Sequence, residues 1–187
     1  MTGNTSERWG SVQIGLHWLI AGLILIQVPA AWGMVNASPG ALQDFLYNVH
    51  KNGGVIIFAL AVVRLAWRLT HPVPDLPSAM PGWQRTLAHV THFLLYALLF
   101  VMPITGFLYT ALSGYPIPLF MIWDLSKLVP VDKPLGEVFE TIHVSLQWLL
   151  YLVVVLHVAG ALQHHLVRKD WVLRRMTSST APLRKPA

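Results

Sequence analysis

The sequence predicts an all-α integral membrane protein, a four-helix up-down-up-down bundle. Three observations lead there. Hydrophobic residues make up 55% of the 187-residue chain and charged residues only 11%, where a soluble domain carries about 25% charge. Four apolar runs are each long enough to cross a hydrocarbon layer of about 30 Å. The links between them are short or proline-rich, so successive helices should run antiparallel. The chain reads as one domain over residues 1–187, with spans at about 12–34, 47–69, 86–111 and 141–166.

Residues 1–10 are polar and are expected to fray. The first span carries His17 early and Pro29 late, with Trp9, Trp18 and Trp32 where interfacial aromatics belong. A polar connection, 35–46, leads to the second span. That span opens on His50, Lys51, Asn52, Gly53 and Gly54, has the apolar centre VIIFALAVV, and closes on Arg64 and Arg68. Four prolines in 70–82 stop the helix and stiffen the loop. The third span holds His89, His92 and Tyr96, then a kink at MPITGF. In the connection 112–139, Tyr115, Phe120, Met121, Ile122 and Trp123 point to a segment lying on the membrane surface. The fourth span carries His143 and His157. The tail after Arg168 is basic and is expected to be disordered.

Composition excludes several chemistries. The chain has no cysteine, so it has no disulfide, no thiolate ligand to haem and no cysteine-held iron–sulfur cluster. H-E-x-x-H, Walker A and G-x-G-x-x-G motifs are absent. The net charge of +5 is read as lipid-bilayer anchoring, with no nucleic acid partner. No cleavable signal peptide is evident, because the first apolar run is too long and lacks a basic lead beyond Arg8. Ten of the thirteen Lys and Arg gather at the two termini and around the 70–85 loop, against Lys51, Lys127 and Lys133 on the opposite side. This asymmetry places both termini of a multi-pass protein on the cytoplasmic side.

The nine histidines carry the functional reading. His143 and His157 are 14 residues apart, about 21 Å along one helix and within about 40° of the same face. Antiparallel helices match depths: His17 with His157 toward the cytoplasm, His50 with His143 toward the outside. A lone histidine in a span is ordinarily a packing residue bonded to a neighbour. Four at matched depths favour two bis-histidine metal macrocycles, with His17, His50, His143 and His157 on haem iron. Gly15, Gly53, Gly54 and Gly160 lie within a turn of these histidines, where a flat ring needs close backbone approach or helices pack closely. His164 is the alternative lower ligand. His71 and His165 are expected to be solvated. Arg64 suits the propionates of the lower haem and Lys51 those of the upper, unless both simply anchor at the interface. His92, with His89, suits a propionate or a quinone carbonyl, or is an interfacial polar residue.

The segments IGLHWL (14–19), HKNGG…VVRLAWRL (50–69), LAHVTHFLLY with MPITGF (87–107) and IHVSLQWLLYLVVVLHVAGALQHHLVRKDWVLRRM (142–176) resemble the bacterial di-haem cytochrome b561 family. The resemblance covers about residues 8–176. It implies four helices in a bacterial inner membrane, two haem b groups, and axial ligands at His17, His50, His143 and His157. One member type is a superoxide oxidase, a superoxide:ubiquinone oxidoreductase. The expected function is therefore membrane electron transfer between a periplasmic donor, superoxide or a redox protein, and ubiquinone. The outer connections are net acidic, so any attraction for superoxide has to be local, at Lys51 chiefly. The alternative is a haem-bearing membrane anchor subunit relaying electrons for a periplasmic dehydrogenase or hydrogenase. A haem-free transporter using the histidines as a proton relay is a third class.

Overall fold

The computed structural model describes residues 2–179. The tail from 180 to 187, including Arg184 and Lys185, lies outside them. Four long helices dominate: α1 Ser11–Asn36, α2 Ala41–Thr70, α3 Gly82–Leu112 and α4 Lys133–Gln163. All four are long and apolar enough to cross a membrane, and the chain is a four-helix membrane bundle. Large apolar side chains face outward along them, among them Leu25, Phe93 and Val155. In water that exposure would be unfavourable, whereas in lipid it is the low-energy surface.

The helix boundaries are set by local chemistry. α2 begins at Ala41, directly after Pro39–Gly40, and the Asp44 N–H donates to the Gly40 carbonyl at 3.0 Å. The polar connection is thus shorter than 35–46, because ALQDFL already has a turn to close on. α4 begins at Lys133, eight residues before the apolar run at 141. Asp132 Oδ1 accepts from the Leu135 N–H at 3.1 Å, and Pro134 occupies the first turn, where its missing N–H costs nothing. Hydropathy marks only the lipid-facing part of such a helix. α4 closes through a π turn, His164–Arg168, ended by Lys169 at φ 53°.

Two compact units each take a segment from all four helices. Among the described residues the first comprises 2–19, 62–96 and 150–179. Its non-helical parts are ordered by one another. Gly10 N–H donates to Asn4 Oδ1 at 2.9 Å, and Asp75 N–H donates to the Ser6 carbonyl at 3.1 Å. The buried Arg175 guanidinium sits 3.2 Å from the Trp171 ring centroid and donates to the Asp75 carbonyl at 2.6 Å. Trp18 Nε1 donates to the Met176 carbonyl at 2.5 Å. The frayed N-terminus and disordered tail expected from polarity are therefore replaced, within the described residues, by a hydrogen-bonded cap. Polar composition gave no sign of it because the Ser6, Asp75 and Met176 carbonyls that tie it together are far in sequence from their donors.

The second unit comprises 20–61 and 97–149. Ile20, Ala61, Leu98 and Ile117 are buried, and the Phe58 and Phe100 rings meet edge to face at 5.8 Å. Outside the helices it holds a two-stranded hairpin, β1 Pro118–Leu119 and β2 Trp123–Asp124, followed by a 3-10 turn at Leu125–Leu128.

Candidate functional site

In the second unit the His50 and His143 rings face each other, with centroids 6.2 Å apart and planes crossing at 83°. His143 comes from the early turns of α4 and His50 from α2. His143 Nδ1 lies 3.0 Å from the Met102 carbonyl oxygen and 3.2 Å from Thr105 Oγ1. Thr105 already donates its hydroxyl proton to the Val101 and Met102 carbonyls at 2.8 and 3.0 Å. Both neighbours of Nδ1 are therefore acceptors, so Nδ1 carries the proton and Nε2 keeps its lone pair. A Cβ at Gly106 would stand 2.8 Å from His143 Cε1, so only glycine leaves the ring its place. The α3 motif that reads as a kink thus positions an imidazole.

On the other side of this pair, Gln27 Nε2 donates to the His50 carbonyl at 2.8 Å. Gly53 makes room for Gln27, whose side chain would be 2.7 Å from a Cβ there. Lys51 Nζ does not stand free: it donates to the Pro116 carbonyl at 2.8 Å and lies 5.7 Å from the Tyr47 ring centroid.

In the first unit His17 of α1 and His157 of α4 face each other with centroids 6.0 Å apart and planes at 75°. His92 approaches His157 at 5.3 Å, while His89 points outward and is exposed. His17 Nδ1, Arg64 Nε and Trp67 Nε1 are buried without a hydrogen-bond partner. The Arg64 guanidinium lies 5.5 Å from the Tyr96 ring centroid, and Arg68 bridges the Tyr96 and Trp9 rings at 5.4 and 5.7 Å. Gly15 and Gly160 face open space rather than a neighbouring helix.

The remaining histidines have other occupations. His164 is buried and its Nδ1 pairs with Asp170 Oδ2 at 2.5 Å. His71 is not simply solvated: it stacks on Trp67 at 3.9 Å, and its Nδ1 contacts the Trp67 carbonyl at 3.0 Å. His165 is exposed.

The donor set can be tested against a bis-histidine haem. Two metal–imidazole bonds of about 2 Å, each with the inner half of a ring, separate two ring centroids by about 6 Å. Both pairs have that spacing. Imidazole nitrogen suits iron, and the buried Arg64 and Trp67 donors suit an anionic group beside the His17–His157 pair. Among the described residues no three His, Cys, Asp or Glu side chains converge on a metal-sized site, the arrangement a structural zinc would require. The residues present fit the group.

Met102, Thr105, Gly106 and Gln27 escaped the sequence reading as functional positions. The signal available was a glycine three residues after a proline inside a long helix, where helix propensity alone favours neither.

Four membrane-length helices presenting facing imidazoles define a helical membrane redox protein. The chain belongs to the prokaryotic cytochrome b561 family, whose model matches residues 8–179, and membership implies haem b. Among curated relatives it is 31% identical to cytochrome b561 homolog 2 of Escherichia coli K12, over 95% of each chain. It is 30% identical to the probable superoxide oxidase CybB of Yersinia pestis, over 91% of this chain and 96% of that one.

Proposed function

We propose that this protein is a di-haem membrane electron carrier that takes electrons from superoxide and delivers them to ubiquinone. The observation that carries the reading is the pair of imidazole pairs, at 6.0 and 6.2 Å. His17 and His157 would hold one haem b, and His50 and His143 the other. Haem supplies a reversible one-electron couple whose potential the axial ligands and burial set.

The chain's own residues bind, orient and insulate. Met102 and Thr105 fix the His143 tautomer, so that Nε2 is presented as a ligand. Arg64 neutralises propionate charge at the lower site, with His92 beside it as a hydrogen-bonding partner to a propionate or a quinone carbonyl. α4 supplies His143 to one pair and His157 to the other. In the overall balance two superoxide anions are oxidised to two molecules of oxygen. One ubiquinone takes up the two electrons and two protons to become ubiquinol. The name of the Yersinia pestis relative supports superoxide as donor. Charge asymmetry supports an inner-membrane orientation with both termini cytoplasmic and the 113–132 connection outside.

A dithionite-reduced minus oxidised spectrum of the purified protein, with pyridine haem quantitation, tests the haem reading. About two haems per chain are expected. Superoxide-driven ubiquinol formation by the same preparation tests the donor. Full haem content without superoxide-dependent turnover would leave electron relay for a periplasmic dehydrogenase or hydrogenase as the account.

A further inference from the structure

The hairpin between α3 and α4 has no part in the electron route described above, yet it is built with unusual care. Its tip presents Phe120, Met121, Ile122 and Trp123, which are 62, 88, 78 and 71% exposed. Phe120 and Met121 both occupy the left-handed backbone region, at φ 49° and 62°. Turns of that kind normally take glycine or asparagine, because a bulky side chain is strained there. Phe120 and Met121 are therefore displayed at a backbone cost.

The hairpin is also fixed. Asn52 of α2 grips it from both sides: Nδ2 donates to the Pro118 carbonyl at 3.3 Å, and Oδ1 accepts from the Phe120 N–H at 2.9 Å. Lys51 Nζ holds Pro116. Within the loop, Asp124 Oδ1 accepts from the Ser126 hydroxyl at 2.7 Å and from the Ile117 N–H at 2.9 Å. These bonds hold the Asp124 carboxyl below its usual pKa range. Ile117 beneath the hairpin is 3% exposed. The tip is therefore an apolar projection on a rigid base.

The anchor gives the depth. The apolar centre of α2, residues 55–63, has its midpoint at residue 59. Asn52 is seven residues away, about 10 Å along the helix, and the hydrocarbon half-thickness is about 15 Å. The hairpin is thus tied to α2 a few ångströms inside the hydrocarbon boundary. At that depth its base is held on protein, with the Pro116 and Pro118 carbonyls and the Phe120 N–H bonded to Lys51 and Asn52, and its aromatic and aliphatic tip matches the chemistry of the headgroup–acyl boundary.

We propose that residues 120–123 insert into the bilayer interface at the end of the bundle where α2 begins, as a lipid-embedded wedge. The occupant is the phospholipid interface itself.

The chain has no cysteine, so one introduced thiol reports its own position. The test uses haem-loaded full-length protein carrying Met121→Cys or, should that variant misfold, Ile122→Cys. The thiol carries an environment-sensitive nitrobenzoxadiazole label, and the protein is reconstituted in phosphatidylcholine nanodiscs. Ser38→Cys, exposed in the connection before α2, is the aqueous reference. The expected result is a blue-shifted emission at 121. Lipids with a nitroxide near the headgroup should quench it several-fold more than lipids with one at mid-chain, and aqueous iodide should quench it little. Asn52→Ala should erase the preference for the shallow nitroxide. Emission and iodide quenching equal to those at 38 would overturn the proposal in favour of a water-exposed tip. Protection from iodide and from both nitroxides would overturn it in favour of a protein-covered tip.

Discussion

His143 Nδ1 lies 3.0 Å from the carbonyl oxygen of Met102. An imidazole on α4 is thereby locked by the backbone of α3. Thr105 Oγ1, at 3.2 Å, is the second acceptor of the same proton. Hydrogen bonding at Nδ1 raises the basicity of Nε2 and so favours the oxidised metal.

Thr105→Val should therefore shift the outer haem's potential upward. One hydrogen bond of about 0.5–1.5 kcal/mol corresponds to about 20–60 mV for one electron. Thr105→Ser should restore the wild-type value. Redox titration of the resolved haem bands reads both, and an unchanged potential would leave Met102 as the sole effective acceptor.

Gly106→Ala should expel the outer haem while the bundle stays folded, because its Cβ would stand 2.8 Å from the His143 ring. Gly82→Ala, with nothing within 4 Å of the added atom, is the matched control and should keep full haem content. Pyridine haem quantitation beside helical circular dichroism checks both.

His157→Ala should remove the lower haem and spare the outer one, and His143→Ala should do the reverse, each leaving about one haem per chain. Loss of both from either change would point to a collapsed bundle. Retention of both in His157→Ala would pass the ligand role to His92, 5.3 Å from His157, or to His164.

Lys51→Glu should slow superoxide-driven quinone reduction at low ionic strength. The difference should shrink as salt brings the screening length toward about 8 Å. Because Lys51 also holds the Pro116 carbonyl, Lys51→Gln separates lost charge from lost anchoring. If the Gln and Glu variants slow equally at low and high salt, anchoring is the whole effect.

Arg175→Ala should loosen the cap formed by the N-terminal residues, the 70–81 loop and the segment after α4. A ring contact and a hydrogen bond to Asp75 are lost together, about 1–3 kcal/mol. The expected signs are a lower thermal midpoint and faster proteolysis after Arg168. Burial lowers the Arg175 pKa to about 10, with Asp75 opposing the shift. The cost of burying the charge is therefore fully present below pH 10, so the midpoint difference should be flat from about pH 6 to 8.

The sequence by itself determined the membrane class, the four helices and the histidines that face each other. These follow from hydropathy, helical rise and antiparallel depth, which are local or strictly periodic properties. The proline-rich stop after Thr70 was legible for the same reason. What only the tertiary structure decided is which atoms surround those rings. The Met102 carbonyl, the missing Cβ at Gly106 and the placing of Gln27 against Gly53 depend on the rotation of one helix against another, which no single-helix period encodes. The same holds for Lys51, which the sequence offers as a propionate partner or an interface anchor and which packing ties to the Pro116 carbonyl. It holds also for Arg175, a polar-tail residue whose partners are a ring four residues back and a carbonyl a hundred residues away.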